Sequence, residues 1–428
     1  MADTPSSNVL YGPAEKPPIN QWLPLSIQHV FAMFGATILV PILTGLSPST
    51  ALFTAGTGTL LYILITGAKV PAFLGSSFAF IPALIAISAA YGVPYAMGGA
   101  FVSGLFYVVI AFIIKKSGHN WLNKALPPVV IGSVIIVIGL NLAPTAMGMA
   151  MYDGAGNYSL HLLFVATVTL LLTIIANIFG KGFFSIIPIL IGLIGGYLTA
   201  LIGGFISPSW AIIDFAAVKE AAWFGLPSFA LPKFNLVASV TFAIVSLATI
   251  CEHLGDTLTI SKVVGKDFYT DPGLERTIAG DGIATLWASF WGGPPNTTYG
   301  ENIGVLALTR VYSVWVTGGA AVVAIVLSFF PKFGALIQTI PNPVLGGISM
   351  LLFGTIASSG LRTVVDAGVD YEDKRNLTIS SVVLVIGIGG GTLSFAMGRD
   401  LTFTLAGVAL ATLVGIAMNL FLPKNNKK

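Results

Sequence analysis

Apolar residues in this chain come in long unbroken runs, not in the alternating or one-faced patterns of a water-soluble fold. Fourteen runs stand out, at about 24–45, 49–67, 73–89, 93–114, 127–142, 161–180, 183–203, 235–258, 273–290, 295–310, 311–330, 343–360, 376–391 and 402–422. Roughly 20 apolar residues in a helix cross the ~30 Å hydrocarbon core of a bilayer. The pattern therefore predicts an all-α polytopic membrane protein with fourteen transmembrane segments. Two runs, 73–89 and 295–310, resist a plain helix, because Pro71, Gly75, Gly293, Pro294, Pro295 and Gly300 crowd their first halves. About six extended residues followed by ten or eleven helical ones also cover the required thickness. Each of these runs is thus expected to be a short strand reaching the midplane, then a half-helix.

Charge fixes an orientation. With an even number of crossings both ends lie on one side. Placing them in the cytoplasm puts only Lys219, Lys233, Lys332 and Arg399 outside, and the other sixteen of the 20 lysines and arginines inside, as the positive-inside rule expects. Omitting one early span destroys this bias. The polar, proline-bearing segment 1–23 and residues 423–428 then read as cytoplasmic tails of a protein embedded in the lipid bilayer.

Composition narrows the function. Charged residues make up 9% of the chain and hydrophobic ones 55%, and the mean hydropathy is +0.90; soluble domains carry about 25% charged residues. A cytosolic enzyme is excluded, and a net charge of +3 gives no basis for nucleic-acid binding. One cysteine, Cys251, rules out a disulfide scaffold. No Cys/His cluster suggests a metal site, no nucleophile–base pair suggests an intramembrane enzyme, and no cofactor motif is present.

Half of fourteen is odd, so two seven-span halves must be inverted relative to one another, an architecture of transporters. Landmarks agree with such a repeat: Gln28-His29 and Glu252-His253 are offset by 224 residues, and Phe78 and Glu301 by 223. Inversion makes the two short strands antiparallel, able to pair inside the protein where no edge meets lipid. Both half-helices then begin near the midplane, with unsatisfied N–H groups and partial positive charge.

Four acids interrupt the apolar runs: Glu252, Asp256, Asp281 and Glu301. A carboxylate at a helix centre costs roughly 2.5–3.5 kcal/mol on insertion scales, and such residues usually face the protein interior and work there. Glu252 and Asp256 are four apart and share a helix face, and Glu301 opens a half-helix. Asp281, between Gly280 and Gly282, reads as structural, His253 as packing, and His29 as holding the site by hydrogen bonds. Carboxyl groups that accept N–H donors, helix-start N–H groups that donate to carbonyls, and the walls offered by Phe78 and Tyr299 suit a small planar molecule with alternating N–H and C=O edges. A cyclic imide or pyrimidine is such a molecule; a bare inorganic anion is repelled by the acids. A proton or sodium ion can supply the coupling.

The run Glu301-Asn302-Ile303-Gly304-Val305-Leu306-Ala307-Leu308-Thr309-Arg310, with Gln28-His29, resembles the signature and second hallmark of the nucleobase–ascorbate transporter (nucleobase:cation symporter-2) family. The resemblance extends over about 20–422, and the acid at 301 is similar to the uracil-transporting members. It implies proton-coupled uracil uptake by alternating access, the usual homodimer, and a core domain (24–116 and 235–330, spans 1–4 and 8–11) against a gate domain (117–234 and 331–422, spans 5–7 and 12–14). It also implies that Glu252 and Glu301 hold the uracil ring, that the N–H groups of Phe78 and Gly300 meet its oxygens, that Tyr299 packs near it, that Asn302 supports the site, and that Ala36 and Ser77 line it. Two positions depart from one uracil-transporting member of a bacterial cytoplasmic membrane: Asp256 stands where it carries histidine, and Phe353 where it carries tyrosine. Aspartate at the first is similar to other members of the family and can still titrate, so Asp256 with Glu252 is the expected proton-coupling pair. The rivals are another nucleobase such as xanthine, and an anion exchanger or channel of the same architecture.

Overall fold

The fold was established from a computed structural model that describes residues 9–396 and 402–423. Arg399, the first eight residues and residues 424–428, assigned above to an outer loop and to the tails, lie outside the described residues.

Helices α1 (Ile19–Thr44) and α2 (Pro48–Ile65) are joined by a tight turn. Gly45 ends α1 in the left-handed region at φ 72°, and Ser47 caps α2 by accepting from the Thr50 N–H. Strand β1 (Leu74–Ser76) follows, then a single 3-10 turn over Phe78–Phe80 and α3 (Ile81–Tyr91). Next come α4 (Val93–Ser117), the short α5 (Asn120–Ala125), α6 (Pro128–Leu140), α7 (Ala143–Met151), α8 (Leu160–Phe179), α9 (Pro188–Ile206) and α10 (Ala216–Glu220). The second half contains α11 (Leu236–Val264), α12 (Leu274–Phe290), β2 (Asn296–Thr298), α13 (Gly300–Thr309), α14 (Val314–Ser328), α15 (Pro331–Gln338), α16 (Asn342–Asp366) and α17 (Lys374–Ile388). It closes with β3 (Thr392–Ala396), β4 (Thr402–Ala406) and α18 (Gly407–Phe421).

Among the described residues, eight helical segments are long and apolar enough to cross a membrane, and a ninth is formed if α14 and α15, bent by 89°, make one span. The fifth run continues past residue 142, because α7 carries on from α6 to Met151. The other apolar runs hold shorter helices, among them α3, α13 and α18. At 1.5 Å per residue, the ten residues of α13 cover only ~15 Å.

The expected pair of strands is present. β1 and β2 run antiparallel in the register Leu74↔Thr298, Gly75↔Thr297, Ser76↔Asn296, and all six residues are buried. Their outer edges are closed by side chains of the neighbouring helices. Thr59 of α2 accepts from the Leu74 N–H (2.9 Å), Thr285 of α12 donates to the Asn296 carbonyl (2.9 Å), and the Asn296 amide donates to the Thr54 carbonyl (3.0 Å). Backbone that leaves a helix inside a bilayer needs such partners. Gly75 is required here, because a Cβ would lie 2.5 Å from the Tyr299 ring.

Close crossings hold the helices together. Gly132 of α6 and Gly360 of α16 face each other so tightly that a Cβ on either would approach the other's carbonyl oxygen to 2.6–2.7 Å. Small residues that let helix backbones meet are the usual glue between helices in lipid. The faces of α8, α9 and α17 carry exposed large apolar residues such as Leu171, Ile175, Leu198, Ile202 and Val385, as expected of lipid-facing surface.

One run is corrected. Residues 402–406, assigned above to the last helix, form β4, which pairs with β3 in the register Leu393↔Leu405 and Phe395↔Phe403. The sequences Thr-Leu-Ser-Phe-Ala and Thr-Phe-Thr-Leu-Ala alternate with period two, the signature of strands. On β4, Phe403 and Leu405 are buried, while Leu393 and Phe395 of β3 are exposed.

Candidate functional site

Helix α11 carries Glu252 and Asp256 one turn apart on one face, each half-buried. They line a cavity of about 520 Å³ that also touches Phe78, Thr297, Thr298, Tyr299, Gly300 and Glu301, a size within the ~300–1,000 Å³ range of small-molecule sites. Asp256 Oδ2 accepts a hydrogen bond from Thr298 Oγ1 (3.0 Å), which anchors it to β2. Glu252 Oε2 is buried with no hydrogen-bond partner, an acceptor left free at the cavity wall.

Two helix beginnings meet in this cavity. α13 opens at Gly300 and the 3-10 turn opens at Phe78, and neither has a side-chain cap. The first N–H groups of a helix have no partner within it and attract negative or carbonyl oxygen atoms. A ligand between them therefore meets backbone donors from both broken segments, and carboxyl acceptors from Glu252, Asp256 and Glu301.

Behind this wall the expected supporting residues are held by one another. The Asn302 amide nitrogen lies 3.0 Å from His29 Nδ1 and donates to the His29 carbonyl (3.2 Å), tying α13 to α1. Tyr299 borders the cavity, but its hydroxyl turns inward, donating to the Ser76 carbonyl (3.1 Å) and accepting from Thr37 Oγ1 (3.3 Å). Ala36 and Ser77 are fully buried behind the lining; the Ser77 N–H donates to the Pro295 carbonyl (2.9 Å). Phe353 of α16 is buried edge-on against the Phe78 ring, with centroids 5.7 Å apart, and so fixes that wall by packing.

The opposite wall comes from α6, α9 and α16. Ile135, Pro188, Ile189, Leu352 and Thr355 face the acids, and the cavity runs out past Ser358, Ser359 and Arg362, which are exposed. This mouth lies at the end of α11 and α16 where Lys262 pairs with Asp366 (2.9 Å).

Sequence reasoning did not bring His253 and Asp281 together. Both are fully buried, with His253 Nδ1 3.2 Å from Asp281 Oδ2. They lie outside the cavity lining. Each was read by itself, and the contact spans α11 and α12, which no local spacing reveals.

The comparisons with known proteins follow this geometry. Residues 20–394 match the family model Xan_ur_permease, described as a permease family. The chain is 53% identical over 415 residues to a protein named uracil permease from Bacillus caldolyticus, covering 96% of this chain and 94% of that one. It is 53% identical over 413 residues to the uracil permease of Bacillus subtilis (strain 168), covering 94% and 93%. Among solved structures, that of SLC26A9 superimposes with a TM-score of 0.66 at 11% identity; it covers 94% of this chain, which spans 64% of that structure's length. At that identity the likeness shows a shared fold.

Proposed function

We propose that this chain, which belongs to the xanthine/uracil permease family of nucleobase–ascorbate transporters, is a multi-pass membrane protein that takes up uracil together with a proton by alternating access. The observation that carries this reading is the convergence of Glu252, Asp256, Glu301 and the two uncapped helix beginnings on one cavity. Uracil presents two N–H donors and two carbonyl acceptors around a flat ring. Glu252 and Glu301 accept from the ring nitrogens, and the Phe78 and Gly300 N–H groups donate to the carbonyls. Three acids around one cavity disfavour an inorganic anion as cargo, and the relatives' names favour uracil over xanthine.

In this reading fourteen crossings form a seven-plus-seven inverted repeat. Its support is the order of elements, two long helices followed by a strand and a short helix, which occurs from α1 and again from α11. The core domain (24–116 and 235–330) carries the acids, and the gate domain (117–234 and 331–422) supplies the opposing wall. Both tails lie in the cytoplasm and the mouth past Arg362 opens there, so this conformation faces inward. Homodimerisation belongs to the same proposal.

The cycle starts with a proton from outside shared by Glu252 and Asp256, which relieves the repulsion between neighbouring carboxylates. Uracil then binds at Glu301 and the helix beginnings, the core moves against the gate, and loss of the proton inside weakens the site. At about 100 mV one proton supplies roughly 2.3 kcal/mol, close to fiftyfold accumulation. Uptake of labelled uracil into cells with and without an uncoupler tests the scheme. Accumulation that collapses with the gradient is expected, and uptake indifferent to it excludes proton coupling.

A further inference from the structure

A second row of polar side chains runs along α11, beside the acids but turned away from the cavity. Ser246, Thr249 and His253 are fully buried, and at 100° per residue they fall within an arc of about 60°. Each meets a polar partner on a neighbouring helix. Ser246 Oγ lies 2.6 Å from Ser103 Oγ of α4, Thr249 Oγ1 accepts from the Tyr107 hydroxyl of α4, and His253 Nδ1 lies 3.2 Å from Asp281 Oδ2 of α12. The other ring nitrogen of His253 lies 3.3 Å from Thr257 Oγ1, so the ring has a polar neighbour on each side. Glu252 is the residue before His253, on the adjoining arc that faces the cavity.

A helix in lipid has little hydrophobic preference among its faces, so its rotation must be set by packing and polar contacts. A buried polar contact is suited to this task, because turning the helix would leave both groups inside the protein with no polar neighbour. We propose that this seam clocks α11 about its axis, and that His253, held by Asp281, is a positioning residue that aims Glu252 into the cavity. The inference rests on the reading of Glu252 as a uracil ligand. The titratable groups facing Asp281 and Glu252, besides His253, are Tyr62 of α2, Tyr107 of α4, Cys251 and Asp256 of α11 and Glu301 of α13.

The test uses the full chain purified in detergent, with labelled-uracil binding, its pH profile and thermal melting as readouts. His253→Gln and Asp281→Asn are each expected to weaken uracil binding about tenfold or more. The double variant His253→Gln/Asp281→Asn, which replaces the imidazole–carboxyl contact by a pair of amides, is expected to recover to within about threefold of the parent, with the parent's pH profile. Single variants that fold and bind like the parent overturn the proposal. So does a folded double variant that binds no better than the singles or shows a displaced pH profile, since His253 would then handle the proton itself. If neither single variant folds, the double variant decides by the same criteria. A parent protein that binds no uracil defeats the functional reading instead, and the melting pattern of the same variants still tests the seam.

Discussion

Glu301 holds two positions at once, the first turn of α13 and the wall of the cavity. As a helix residue it answers the dipole, worth about 0.3–1 kcal/mol; as a ligand group it accepts an N–H, and charged hydrogen bonds are worth about 1.5–3 kcal/mol. Glu301→Gln therefore separates the roles. Uracil affinity, measured by calorimetric titration, is expected to fall about tenfold or more, while the melting temperature moves little; unchanged affinity removes Glu301 from the site. Two glycines make a matching contrast. A Cβ at Gly300 meets only Asp256 Oδ1, at 3.9 Å, whereas one at Gly75 strikes the Tyr299 ring. Gly300→Ala is expected to fold and bind uracil more weakly by crowding the space beside Asp256, and Gly75→Ala to lower the melting temperature. Equal melting temperatures for the two would refute this account. Glu252, Asp256 and Glu301 were legible in the sequence because a charge inside an apolar run is costly wherever its partners lie. The His253–Asp281 contact was not, because its meaning depends on a partner helix that the sequence does not place.

The broken segments work only as a pair. Three residues of strand make too few hydrogen bonds to stand by themselves, and in lipid their free edges are costly. Thr59 on one side and Thr285 on the other remove that cost. Thr59→Val leaves the Leu74 N–H buried without its partner, an expense of about 1–3 kcal/mol. Thermal unfolding in detergent should show a clear loss of stability for Thr59→Val, and one of similar size for Thr285→Val; variants as stable as the parent would mean that the edges are satisfied in another way. Pro71, Gly75, Gly293 and Pro295 announced these strands by excluding helix, and the half-helices followed from length. The β3–β4 pair went unread although its alternation was present, because residues 392–396 fell between two apolar runs and the Phe, Leu and Ala of 402–406 were credited to the final helix. Periodicity and mean hydropathy compete as signals, and in so apolar a chain the second masks the first.

At the scale of the molecule, few polar links join the acid-bearing helices to the wall opposite. Lys262, near the end of α11, and Asp366, the last residue of α16, form one at 2.9 Å, whereas the Lys69–Asp271 pair joins two loops beside the acid-bearing helices. If the core closes the mouth by sliding along the gate, α11 and α16 shift past one another and the Lys262–Asp366 contact is expected to part, so it favours the open-mouthed state. The pair is solvent-accessible, with side-chain exposures of 59% and 43%, and exposed ion pairs contribute about 0–1 kcal/mol. The population shift on breaking it is thus at most about fivefold. A cysteine at Ser359, on the exposed part of the cavity wall, reports that population through its alkylation rate, and the native Cys251 is buried and adds little background. Asp366→Asn is expected to slow alkylation by up to about fivefold. The exchange Lys262→Asp/Asp366→Lys should restore the rate, because it returns the attraction with its sign reversed on each helix. High salt should imitate Asp366→Asn, since screening weakens an exposed pair. A rate that ignores the substitution, the exchange and the salt would mean that the contact merely accompanies the conformation, and that the balance between states is set by apolar packing between α11 and α6 alone.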